Sequence, residues 1–121
     1  MVEIRAFRAL RYAPSLAGSL SEVVAPPYDV IGAAELGRLW ERNPYNVVRL
    51  ILPAGDLPPA RREQGYRRAA ERLRAWKETG VLTPDSHPSL YLYQQHFHLP
   101  SGEARSRQGF FALARLTEWG E

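Results

Sequence analysis

The chain has no cysteine and one lysine, Lys77. Without cysteine there is neither a disulfide framework nor a thiolate metal site. No apolar run approaches the roughly 20 residues that a membrane-spanning helix requires. The opening residues Met1-Val2-Glu3-Ile4-Arg5 carry charge at once and contain no apolar stretch of signal-peptide length. No Gly-x-Gly-x-x-Gly fingerprint, Walker loop or Gly-x-Ser-x-Gly elbow is present, because the glycines are scattered singly. These absences argue against a secreted disulfide scaffold and a membrane partner, and they leave the cytoplasm as the expected location.

What is present describes an ordinary globular protein. The length of 121 residues suits one domain spanning 1–121 and is enough to bury a core. The net charge of +3 is carried by arginine. Many of these arginines interleave with glutamates between residues 60 and 79, the pattern of a solvated helix face. A nucleic-acid footprint would be a stripe of one sign, so the charge alone does not favour that partner.

Patterning along the chain gives an α+β fold, with a mixed or mostly antiparallel sheet, two helices and a C-terminal β-hairpin. Residues 3–12 read as a half-buried strand. Val23 to Ala25 read as a short strand stopped by Pro26-Pro27. Gly32-Ala33-Ala34-Glu35 opens a helix to about Arg42 as a capping box with glycine in the serine place, burying Leu36, Leu39 and Trp40. Asn43 suits a left-handed position past that helix, and Pro44 stops it. Asn46 to Leu52, β-branched and almost wholly apolar, reads as a central strand. Pro53 to Pro59 is a loop. Residues 60–79 form the clearest helix, with Tyr66, Ala69, Ala70, Leu73 and Trp76 on one face. Leu90 to His98 and Arg105 to Leu116 form the hairpin around Pro100-Ser101-Gly102, and the apolar residues Phe110, Phe111, Leu113 and Trp119 point to a homo-oligomer.

The stretch Pro26-Pro27-Tyr28-Asp29 places a carboxylate in a stiff corner before a helix. Asp29 is either an Asx-turn residue or a fixed acceptor, such as a general base. Arg49 is a charge among Val47, Val48, Leu50, Ile51 and Leu52, and a charge so placed needs a partner or a solvent-facing position. It could pair with Asp29 or hold a phosphate or carboxylate in its planar fork. His96-x-His98 has ligand spacing but no carboxylate nearby in sequence to complete a set of three, so no metal site is assigned.

The segments EIRAFRALRY (3–12), VVAPPYDVI (23–31), NPYNVVRLIL (43–52) and QGFFALARL (108–116) together resemble the N-terminal part of the domain of unknown function 1015 family, in that family's order and spacing. The resemblance covers essentially the whole chain and implies that residues 1–121 are the N-terminal portion of a longer protein. It also implies kinship with free serine kinases of the ParB/sulfiredoxin-like fold, which use ATP or another nucleotide with Mg and act on an amino acid. In that class an early acidic residue deprotonates the serine hydroxyl. Asp29 is the candidate for that catalytic role, with Tyr28, Asn46 and Arg49 as substrate-binding residues. The later Asp-Gly-His-His-Arg motif of such kinases does not occur in these residues, so the chain alone is expected to be inactive. The alternative is a non-catalytic binding or regulatory module, nucleic-acid-linked through the ParB-like kinship.

Overall fold

The computed structural model describes residues 1–53 and 58–118. It is α+β, as the patterning indicates, but with more helix and shorter strands. In chain order the elements are β1 (Ile4–Arg5), β2 (Leu10–Tyr12), α1 (Pro14–Ala17), α2 (Leu20–Val23), a 3-10 turn (Tyr28–Val30), α3 (Ala33–Arg42), α4 (Val48–Ile51), α5 (Pro59–Glu78), β3 (Leu82–Pro84), β4 (Tyr91–His98), β5 (Ala104–Phe111) and β6 (Leu113–Ala114). Three two-stranded sheets pair β1 with β6, β2 with β3 and β4 with β5. The chain divides into two compact units, residues 10–83 and residues 1–9 with 84–121. Trp119 and most of the loop after Pro53 lie outside the described residues.

The helical unit, residues 10–83, is built around Trp76. Its core joins Ala17, Val23, Trp76, Val81 and Leu82, with Tyr12, Tyr45 and Leu50 packed against it. Tyr45 meets the Trp76 ring edge-on at 5.6 Å and Tyr12 meets it tilted at 6.3 Å. Burying a side chain of this kind contributes about 1.5–3 kcal/mol, so these few residues dominate the stability of the unit. The long helix α5 faces this core with Gly65, Ala69, Arg72 and Trp76. The stripe expected from periodicity is therefore turned: Tyr66 and Leu73 are 60% and 37% exposed. Seating Trp76 between two tyrosines sets the rotation, and small Gly65 and Ala69 occupy the inward positions that follow from it.

Two expected strands are helical turns. Val23 ends α2, and Val24 follows it in an extended conformation, with φ −87° and ψ 159°. Asn46 to Leu52 is not a central strand, because the Asn46 side chain caps it: its Oδ1 accepts the Val48 N–H at 3.0 Å. The backbone then winds, with Leu50 N–H bonding the Val47 carbonyl at 2.8 Å and Leu52 N–H the Val48 carbonyl at 2.9 Å. A local Asx turn has overridden the β-propensity of Val-Val-Arg-Leu-Ile. Asn43 is extended, at φ −155° and ψ 136°, not left-handed. Pro44 explains it, since the residue before a proline is driven to the β region. The helix α3 starts where expected, with Gly32 extended and its carbonyl accepting the Leu36 N–H at 2.9 Å, but Glu35 makes no capping-box bond back to Gly32.

Tyr12 links strand to loop by donating its hydroxyl proton to the Tyr45 carbonyl at 2.7 Å. Burial pushes its pKa up to about 12. An unfolded tyrosine ionises near 10. Between those values the unfolded chain binds fewer protons than the native one, so stability falls as pH rises from about 10 towards 12. Tyr12→Phe should cost about 1 kcal/mol at neutral pH. The gap in melting temperature between wild type and variant should close over the same alkaline range in a pH series.

In the other unit, β4 and β5 form the expected hairpin, in register from Tyr91↔Phe111 to His98↔Ala104. Gly102, at φ 86°, takes the left-handed turn position. The return strand breaks at Ala112, after which β6 pairs with β1 through Ile4↔Ala114 and Arg5↔Leu113. The expected strand over residues 3–12 is thus two short ones, β1 and β2, with different partners. Tyr93 lies over Gly109, its cross-strand partner, and meets the Phe111 ring tilted at 5.1 Å. A Cβ at Gly109 would overlap the Tyr93 ring. Gly109→Ala should therefore swing Tyr93 off Phe111 and cost about 1 kcal/mol, seen as faster amide exchange across the hairpin. Leu92, Phe110 and Phe111 are exposed.

Candidate functional site

The corner that the sequence singles out is a single 3-10 turn. Pro27, at φ −53° and ψ 141°, enters it, and its carbonyl accepts the Val30 N–H at 3.1 Å. The Tyr28 carbonyl accepts the Ile31 N–H at 3.4 Å, and Gly32 then starts α3. Backbone bonds alone close the turn. The Asp29 side chain is exposed and makes no hydrogen bond or ion pair among the described residues. Tyr28 is 67% exposed beside it. An Asx turn would have bound the carboxylate to a nearby N–H; Asp29 does not do this work.

Arg49 is elsewhere engaged. Its guanidinium lies over the Trp40 indole, with Cζ 4.5 Å from the ring centre, and its Nη2 donates to the Trp40 carbonyl at 2.6 Å. It is half-buried, and burial, helped by the neighbouring Arg72 guanidinium, lowers its pKa from the ordinary arginine value. No Asp29–Arg49 ion pair exists among the described residues. The charge reconciles itself with its apolar neighbours by stacking on an indole and filling a helix C-terminal carbonyl.

Asn46 has no exposed surface. Its Nδ2 donates to the carbonyls of Glu22 at 2.8 Å and Val24 at 3.0 Å, while Oδ1 serves Val48. Asn43 does a similar task, donating to the Ala17 carbonyl at 2.9 Å and accepting the Tyr45 N–H at 2.8 Å. The two asparagines of Asn43-Pro44-Tyr45-Asn46 lock α1 and α2 to the start of α4. In the structure Asn46 is thus a fold-holding residue, and Tyr28, Asp29 and Arg49 are the sequence candidates with side-chain surface outside the core. Sequence reading missed Arg72 and Trp40 as partners of Arg49. Arg72 sits among evenly mixed charges, and only its half-buried position on the inward face of α5 sets it apart.

His96 and His98 project from one face of β4 opposite Ser106 and Ala104. Among the described residues no group of three or more His, Asp or Glu side chains could hold a metal ion. No helix among them is long and apolar enough to cross a membrane.

An α+β protein with an exposed, unengaged aspartate on the turn just before α3 is the class these features define. A family model described as "Protein of unknown function (DUF1015)" matches residues 4–121. The chain belongs to that family. No curated protein and no solved structure matches it.

Proposed function

We propose that this chain supplies the amino-acid side of a nucleotide-dependent small-molecule kinase, with Asp29 taking the proton from a substrate hydroxyl. The observation that carries the reading is the Asp29 carboxylate, held on a proline-entered turn and committed to no structural bond among the described residues. A positioned carboxylate with free lone pairs is what hydroxyl deprotonation requires. Tyr28 offers a ring and a phenol at the same turn, and Arg49 holds an anion. Asn46 acts through the fold, by fixing the Val24 carbonyl and the start of α4.

Free L-serine as the hydroxyl substrate, and ATP or another nucleotide as phosphoryl donor, come from the family resemblance. Mg comes from the same resemblance, and a nucleotide-bound Mg needs only one or two protein carboxylates beside the phosphates. The sequence has no Asp-Gly-His-His-Arg. Residues 1–121 alone should therefore make no phosphoserine, whereas the whole polypeptide of the reading frame should make it from serine and nucleotide, followed by phosphorus NMR. A whole protein that phosphorylates no amino acid with any nucleotide would defeat the reading.

A further inference from the structure

Two cations share one indole in the helical unit. Arg49 from α4 and Arg72 from α5 place their Cζ atoms 4.5 and 5.1 Å from the Trp40 ring centre. Neither has a carboxylate partner among the described residues. Each arginine spends one nitrogen on a neutral backbone oxygen: Arg49 Nη2 on Trp40, and Arg72 Nη1 on the Arg49 carbonyl at 3.4 Å. Arg49 Nε is buried and has no acceptor.

Filling helix-end carbonyls accounts for one bond from each guanidinium. It does not account for two positive charges held against one indole and partly out of water, an arrangement that is costly without an anion. A guanidinium has five N–H donors, so most of this pair's capacity is uncommitted. We infer that Arg49 and Arg72, walled by Trp40, form a binding site for a small phosphate-type oxyanion such as a phosphate monoester or a diphosphate. A single carboxylate would leave one charge uncompensated, whereas a phosphate dianion matches both and suits the planar forks. A nucleic-acid backbone fits less well, because the outer face of α5 mixes Arg67 and Arg74 with Glu63, Glu71 and Glu78 and offers no stripe of one sign. The site shares Arg49 with the function proposed above but does not need transfer chemistry, so each can fail alone.

The test is calorimetric titration of the protein with inorganic pyrophosphate at low salt, with the Trp40 indole N–H followed by NMR. Wild type should bind and shift that signal. Arg72→Gln should weaken binding by about tenfold or more, and Arg72→Lys, which keeps the charge but not the fork, should also weaken it. Arg67→Gln, which removes a positive charge from the paired outer face of the same helix, should stay within about twofold of wild type. Melting temperatures verify that each variant is folded; should Arg72→Gln fail to fold, the lysine variant decides. Absence of wild-type binding, equal weakening by Arg67→Gln, or steeply salt-dependent oligonucleotide binding without a Trp40 response to pyrophosphate would each overturn the site. Phosphoserine formation with no pyrophosphate binding overturns this inference alone, and the converse overturns only the kinase reading.

Discussion

Asn46→Ala should destabilise the protein by about 3–5 kcal/mol, a large fraction of the roughly 5–15 kcal/mol that holds a domain folded. The side chain is inaccessible, and it satisfies three backbone groups from two segments: the Glu22 and Val24 carbonyls and the Val48 N–H. Alanine leaves all three without it, and the Val48 N–H is buried. Each such loss costs about 1–3 kcal/mol, with carbonyls at the lower end. Asn46→Asp is the sharper variant. It keeps the Val48 bond but turns a carboxylate oxygen towards two carbonyl oxygens, so it should be no more stable than the alanine variant at neutral pH. Urea unfolding at pH 7 measures both, and a cost below about 1 kcal/mol for alanine would show that the loops repack without the amide.

The same residue shows why one part of the fold was legible and another was not. The helices over 33–42 and 59–78 and the hairpin declare themselves through sustained periodicity, glycine and proline punctuation and alternating aromatics, all local signals that tertiary contacts reinforce. Val48 to Ile51 sends a strand signal, yet the chain there is helical because one asparagine supplies a cap and is itself fixed by carbonyls 22 and 24 residues away in sequence. Only the folded arrangement makes that choice visible. At the candidate site the corner at Asp29 was legible because the two prolines before it act locally. The Arg49–Trp40–Arg72 cluster was not, because it joins three helices, and no spacing in the sequence encodes which face of α5 turns inward.

On the kinase reading proposed above, Asp29→Asn should lower phosphoserine formation by the whole protein by about 10²–10⁴-fold, the range that a positioned acid–base group supplies. Asparagine keeps the shape of the side chain and offers an oxygen, but it cannot accept the proton of a serine hydroxyl. Stability should hardly change, within about 0.5 kcal/mol, because the carboxylate is exposed and makes no bond among the described residues. That pairing of a large kinetic loss with an unmoved melting temperature separates base from turn residue. A turn residue would give the opposite pattern, with stability falling and turnover following the folded fraction. Asp29→Glu adds a further discrimination: it retains the base but displaces it by one methylene, so turnover should fall while remaining above that of the asparagine variant, since misplacement by about 1 Å can cost about a hundredfold. Equal turnover by wild type and Asp29→Asn would remove Asp29 from the chemistry and leave the corner as a turn.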